Sequence, residues 1–294
     1  MDNLRKNIDQ QIESNKGKNL FFSEKSKVLK FTSETIQTIK NYQQSNEEFE
    51  NTLIDYASNK TLLELCRINQ YYSFPAEAQQ ELKELYRKLF TFIKSNNAEL
   101  EITAESHYQN ITHWLKKYNS FAEKIYQNQQ ETIEPIACSE YSPEIQIQLL
   151  HLNLQVLQQP ILDIGCGTKA SLVKYLRNNQ LEAYGIDRFE TAEPFMQNVD
   201  WLNFSYKSKR WGTIISNLGF SNHFKHHHLR EDGNFMLYAQ KYIEILQSIK
   251  TGGSFHYAPD LPFIEQYLDT DTFRISNFAI ENLPFKCTVI KKLK

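Results

Sequence analysis

Cysteine is sparse in this chain, and the four present (Cys66, Cys138, Cys166 and Cys287) form no C-x-x-C pair. A disulfide framework or a zinc site on paired thiols is therefore not expected, and scattered thiols suit a cytoplasmic protein. No apolar run approaches the roughly 18 residues that cross a bilayer, and the Asn/Gln/Lys-rich N-terminus does not read as a signal peptide. An excess of one charge is missing too. The formal net charge of −2 argues against a broad electrostatic grip on nucleic acid. Glycine is scarce in a position-dependent way: of nine, only Gly17 precedes residue 164. A long stretch nearly free of Gly and Pro, with apolar residues every three or four positions, predicts helices.

What is present divides accordingly. Residues 1–20 are expected to be a flexible N-terminus, 21–140 an all-helical domain and 141–294 an α/β domain. Helices are predicted at about 23–44, 46–71, 76–95 and 98–128, with connections at Pro75 and Asn96-Asn97. Leu82, Leu85, Leu89, Phe90 and Ile93 form one stripe, and Ile111, Trp114, Leu115, Tyr118 and Phe121 another. Such stripes read first as helix–helix core, with a few aromatics as candidate pocket lining. A linker over 131–142 contains Pro135. Ser142-Pro143-Glu144 then starts a helix expected to reach about Gln158.

The apolar run Pro160–Ile164 ends in Gly165-Cys166-Gly167-Thr168, and an amphipathic stretch follows from Lys169. That is strand, tight turn and helix, with glycines that let a backbone approach a ligand. A second short strand, Leu181 to Asp187, ends in a carboxylate about 20 residues on, where an acid can accept ribose hydroxyls. The spacing Gly165, Gly167, Ala170 also satisfies a dinucleotide fingerprint, so the glycines alone are not decisive. Further strands are expected at 199–202, 211–217 and 254–258, and a helix at 234–250 closed by Thr251-Gly252-Gly253. Pro259 to Pro262 starts a short helix. Two alternating runs, Phe273–Ile280 and Phe285–Lys291, joined through Glu281-Asn282-Leu283-Pro284, complete the chain.

Asp163, two residues before the first glycine, tilts the reading. Leu162-Asp163-Ile164-Gly165-Cys166-Gly167-Thr168 resembles the first motif of the class I S-adenosylmethionine-dependent methyltransferases. The resemblance continues through Gly185-Ile186-Asp187, Asp200, Ile214 to Asn217 and Gly252 to Phe255, over roughly residues 140–294. It implies a seven-stranded Rossmann-like α/β sheet and S-adenosyl-L-methionine as cofactor. The cofactor contacts it implies are Tyr141, Asp163, Gly165, Cys166, Gly167, Asp187, Arg188, Asp200, Trp201, Ser216 and Asn217, with Glu144 a further candidate. Asp200 would stand near the adenine amino group. Trp201 would lie against the ring or, equally, in the core. Cys166 reads as a small packing residue.

Half of the eight histidines fall in Asn222-His223-Phe224-Lys225-His226-His227-His228, after the fourth strand. A neutral imidazole there suits a general base toward an acceptor, with His223 favoured and His226 second. Adjacent histidines match no standard metal spacing, so no metal is expected. The remaining reading is a polar loop, some of whose histidines cap Asp232 or the next helix. The turn Ser216-Asn217-Leu218-Gly219 lacks the proline pair of amino-adenine methyltransferases, and no Pro-Cys nucleophile is present. The expectation is methyl transfer to a small organic acceptor beneath a helical cap, without nucleic acid or membrane partners. Transfer of the aminocarboxypropyl group, as in nicotianamine-synthase-like proteins, or cofactor binding without turnover are the alternatives.

Overall fold

The regular elements described in the glycine-poor half are helices, joined by turns and one isolated bridge between Lys18 and Thr132. The computed structural model describes residues 2–24, 29–41, 47–94, 100–133, 141–189, 193–281 and 283–294. The expected breaks at Asn96-Asn97 and Pro135, together with Cys138 and Asn282, lie outside the described residues. The chain divides into two compact units, Met1–Cys138 and Ser139–Lys294.

The first unit contains α1 (Asp2–Ser14), α2 (Ser33–Asn41), α3 (Glu47–Ile68), α4 (Ala76–Lys94), α5 (Leu100–Tyr118) and α6 (Phe121–Tyr126). The two apolar stripes are core: Leu82, Ile93, Trp114 and Leu115 are almost fully buried. The indole N–H of Trp114 donates to Ala78 O at 2.9 Å, and Phe74 stacks on its ring at 5.0 Å. One expectation is corrected. Residues 1–20 are not a loose tail, because α1 sets Leu4 and Ile8 against the buried cluster of Leu53, Ile54 and Phe90. The amide side chains that made this segment look disordered are bonded inside. Gln11 donates to Lys30 O at 2.9 Å and accepts from Thr32 N at 2.8 Å; Asn19, 1% exposed, donates to Tyr126 O at 2.8 Å.

The second unit runs α7 (Pro143–Leu149), β1 (Ile161–Ile164), α8 (Ser171–Asn178), β2 (Ala183–Asp187), β3 (Met196–Asn198), β4 (Trp211–Asn217), α9 (Phe220–Leu229), α10 (Phe235–Ser248), β5 (Ile249–Ala258), α11 (Pro262–Glu265), β6 (Phe273–Ala279) and β7 (Lys286–Lys292). The seven strands form one sheet in the order β3-β2-β1-β4-β5-β7-β6. Pairings from β3 through β5 are parallel, and β7 is antiparallel to both neighbours. All four residues of β1 are buried, as expected of a central parallel strand covered on both faces. This is the Rossmann-like sheet that the resemblance implies. The strand order reverses between β2-β1 and β4, which opens a crevice at the carboxyl ends of β1 and β4.

Three local expectations are revised. The helix from Pro143 stops at Leu149, not Gln158: His151 takes φ +50°, and Leu152 N reaches back to Ile147 O at 3.0 Å, closing a Schellman turn that buries Leu150 and Leu152. The third strand is Met196–Asn198, set by pairing of Gly185 with Met196 and Asp187 with Asn198. Residues 199–202 turn instead, because the Asp200 carboxylate accepts from Leu202 N at 2.8 Å. Finally, Gly252-Gly253 does not stop a helix. The chain leaves α10 at Ser248, enters β5 at once, and bulges at the glycines, so that pairing shifts from Trp211–Ile249 to Thr213–Ser254. The β3–β4 connection, residues 199–210, carries no helix, and a hollow of about 600 Å³ lies over Leu162, Tyr184, Ile186 and Trp211. No helix among the described residues is long and apolar enough to cross a membrane.

Candidate functional site

The crevice is built from the ends of four elements. β1 runs out at Ile164 into Gly165 and Gly167, both in the left-handed region at φ +75° and +74°, a conformation that side chains resist. The turn is held by β2: Gly165 N and Cys166 N both point at Ile186 O, and Gly167 N donates to the Asp187 carboxylate at 2.9 Å. The other Asp187 oxygen accepts from Phe189 N at 3.1 Å. Each oxygen so engaged keeps a further lone pair. Cys166 turns beneath the loop, with Sγ 3.3 Å from Ile186 O and 3.8 Å from Met196 Sδ.

Asp163 is the least comfortable group in the crevice. It is 2% exposed, and one of its oxygens, Oδ2, has no hydrogen-bond partner among the described residues. Burial, with the negative charge of Asp187 added, pushes its carboxyl up to about 7. Burial also raises the Asp187 carboxyl, against the opposing pull of the Phe189 and Gly167 N–H groups and the Arg188 charge.

From β4, Ser216 is fully buried. Its hydroxyl donates to Ile164 O at 3.0 Å and accepts from Phe220 N at 3.1 Å, tying β1, β4 and the start of α9 together. Asn217 Oδ1 is a second buried acceptor without a partner among the described residues. Leu218 takes φ +54°, and Gly219 lies so close to the strand ends that a Cβ there would stand 3.3 Å from Ile164 O. Sequence reasoning passed over Gly219 as a site residue; its signal was a glycine immediately after the strand-four turn.

Trp201 belongs to the core of the unit. Its indole lies on the glycine turn, where a Cβ on Gly165 would meet the ring at 3.0 Å, and it packs edge-on to Phe220 and, at 4.8 Å, to His223. Asp200 is spent on the local turn, and burial raises its carboxyl. The Arg188 charge is felt by Asp187, Asp200 and His223 alike, which sets it among them.

The histidine stretch is a helix rather than a loop, so its side chains diverge. His223 turns inward and is 3% exposed; burial, then the Arg188 charge, holds its imidazole well below the ordinary histidine range. His226 turns away. Its Nε2 sits 3.1 Å from Arg230 Nη1, and because an arginine can only donate, that nitrogen accepts and the ring is neutral. Burial and Arg230 hold its pKa at about 4. His227 Nδ1 accepts from Asn234 N at 3.1 Å, at the start of α10, and the ring stacks on Tyr238. His228 stacks on Phe263 at 3.8 Å. Among the described residues, no group of three or more His, Cys, Asp or Glu could hold a metal ion.

The fold thus gathers Asp163, Gly165, Cys166, Gly167, Asp187, Arg188, Trp201, Ser216, Asn217 and His223 around one crevice. His226, three residues beyond His223 on α9, is engaged by Arg230. Tyr141 stands just before α7, where its carbonyl accepts from Gln146, and Glu144 is exposed in the first turn of that helix. The Glu144 carboxylate is engaged at its own helix start, by its backbone N–H and the Ser142 hydroxyl, which hold it below the usual carboxylate range.

Comparison with solved structures finds methyltransferases over about half of the chain. An N-methyltransferase, NodS, from Bradyrhizobium japonicum WM9 is 15% identical, with a TM-score of 0.37, over 51% of this chain and 96% of that one. A Burkholderia thailandensis 1,6-didemethyltoxoflavin-N1-methyltransferase, solved with its acceptor and S-adenosylhomocysteine, is 14% identical, with a TM-score of 0.35, over 53% and 80%. A Streptococcus mutans protein assigned as a methyltransferase and solved with SAH is 15% identical, with a TM-score of 0.37, over 53% and 100%. None of these likenesses assigns a role to a residue of this chain. No protein-family model matches the sequence, and no curated protein matches it.

Proposed function

We propose that the second unit binds S-adenosyl-L-methionine in the β1/β4 crevice and serves methyl transfer to a small organic acceptor. The observation that carries this reading is a pair of buried acceptors without donors, Asp163 Oδ2 and Asn217 Oδ1, beside a positive-φ glycine turn. Buried polar atoms are nearly always paired, so two orphaned acceptors at one crevice call for a ligand rich in donors. S-adenosyl-L-methionine fits that demand, since it offers an ammonium, ribose hydroxyls and an amino group while its sulfonium supplies an activated methyl. Asp163 and Asn217 would accept from such donors, Asp187 would add its remaining lone pairs, and the glycine turn would admit a close backbone approach.

The chain's contribution to the reaction is alignment and exclusion of water, with the aromatic wall of Trp201, Phe220 and His223 drying the crevice. His223, neutral at physiological pH, can take a proton from an acceptor once the ligand has displaced the indole. The near-neutral charge supports a small organic acceptor over nucleic acid, and we propose that the helical unit selects it. A second reading, cofactor binding without turnover, is favoured by one observation: Trp201 covers Gly165 and leaves His223 buried. Calorimetry with S-adenosylmethionine and S-adenosylhomocysteine tests the binding, and release of S-adenosylhomocysteine with candidate acceptors tests turnover. Methylthioadenosine as product would point instead to aminocarboxypropyl transfer. Tight binding of a nicotinamide dinucleotide, with none of S-adenosylmethionine, would overturn the proposal.

A further inference from the structure

The helical unit contains a cavity of about 130 Å³ that the crevice chemistry does not use. Its wall is mostly apolar, with Leu53, Leu65, Phe90 and Ile111 supplying much of it. Among the polar side chains on that wall, several are already paired with one another. Asn15 donates to the Tyr108 hydroxyl at 2.5 Å, Thr61 and Tyr86 share a bond of 2.6 Å, and Gln11 is held by Lys30 O and Thr32 N. The charged lining residues among those described are engaged as well: Glu64 with Arg67 at 2.6 Å, and Lys18 with Asn15 at 3.5 Å.

His107 is the exception. It lines the cavity from α5, is 6% exposed, and its ring nitrogens have no hydrogen-bond partner among the described residues. Three rings surround it, Phe31 at 5.9 Å, Tyr86 at 5.1 Å and Tyr108 at 5.4 Å, the last two edge-on. Burial alone drives its pKa to about 4, so at neutral pH it is an uncharged imidazole with one acceptor nitrogen and one donor. A guest that hydrogen-bonds to this ring gains a contact that no other residue of the wall supplies.

We propose that this cavity is a binding site for a small, neutral aromatic molecule of one ring, carrying an O–H or N–H that hydrogen-bonds to His107. Size sets the upper limit, since an apolar cavity of about 150 Å³ accommodates benzene. The ring-lined wall favours an aromatic over an aliphatic guest through edge-to-face contacts. A charged guest would lose its hydration without gaining a free counter-ion, which restricts the class to neutral molecules. The site stands whether or not the second unit transfers a methyl group.

The test uses the full chain, titrated with phenol and toluene by calorimetry and by methyl-resolved NMR. Saturable one-to-one binding of phenol is expected, with shifts of the Leu53 and Leu65 methyl signals and none at Val173 in the other unit. His107→Phe should weaken phenol about two- to tenfold, the worth of one hydrogen bond, and leave toluene within twofold. Ala57→Leu, which fills the cavity from α3, should abolish both. Absence of saturable binding to the unaltered protein overturns the proposal, as do methyl shifts confined to the other unit. Equal losses of phenol and toluene in His107→Phe overturn the role of His107. Should Ala57→Leu fail to fold by circular dichroism, the methyl shifts of the unaltered protein decide.

Discussion

Asp163 carries a charge that the fold disfavours, and this gives a measurable signature. Its carboxyl titrates near 7 in the folded protein against about 3.8 in the unfolded chain, so between these values the folded state holds a proton that the unfolded state has released. Stability from this group is therefore full below about pH 4 and lost as pH rises toward 7. Asp163→Asn should remove that penalty, raising Tm at pH 8 and leaving it unchanged near pH 4, while weakening S-adenosylmethionine. A Tm at pH 8 equal to or below that of the parent would contradict the buried, unpaired state of Asp163. At Asp187 the expectation concerns the cofactor. Asp187→Ala removes a group that already holds Gly167 N and Phe189 N, and should cost about 1.5–3 kcal/mol in cofactor affinity by calorimetry. If His223 is the base, His223→Ala should lower kcat about 10²–10⁴-fold. His226→Ala should cost far less, since that ring is turned to Arg230. The depressed His223 pKa adds that kcat should stay flat from pH 8 down through 6.5, where an ordinary histidine would already be losing activity.

At the level of elements, Ser216 does what the sequence motif could not reveal. Its single hydroxyl bridges the end of β1 and the first N–H of α9, in a place without exposure. Ser216→Ala should destabilise the unit by about 1–3 kcal/mol, measured by denaturant unfolding, because Phe220 N is then buried without an acceptor. The strands β1, β2, β4, β6 and β7 were legible from apolar runs and alternation, and the glycine turn from its spacing. What could not be read was decided by side chains acting on backbone. The Asp200 carboxylate turned the expected third strand, and His151 in a left-handed cap shortened the helix from Pro143. A register shift, invisible in one strand alone, made Gly252-Gly253 a bulge. The histidine run likewise hid its helix, since of its five buried positions, Phe220, Ser221, His223, Phe224 and His227, three are polar.

For the molecule as a whole, buried neutral histidines predict acid lability. His107 in the first unit, and His226, His227 and His256 in the second, are each held near 4 by burial, with His223 depressed as well. The unfolded chain takes up protons near 6.5 while the folded rings do not, so stability should fall as pH drops from about 6.5 to 4. Far-UV circular dichroism melts of Asp163→Asn, which lacks the opposing contribution of that carboxyl, check it across that range; an unchanged Tm would mean the rings are solvated. The composition anticipated a helical half and an α/β half from glycine usage alone. It missed the order in residues 2–24, because Gln11 and Asn19 are polar in the sequence and structural in the fold.

Trp201 has a consequence in optics. The chain has three tryptophans, and two of them, Trp114 and Trp211, are fixed by indole hydrogen bonds to Ala78 O and Tyr206 O. The third lies with its ring on Gly165 and its edge against an imidazole, a neighbour able to quench its excited state. A ligand that settles on the Gly165 side of the turn would meet that ring. The molecule therefore carries an intrinsic fluorophore at its own crevice, whose emission should change in intensity and wavelength when the crevice fills, while the other two supply a constant background.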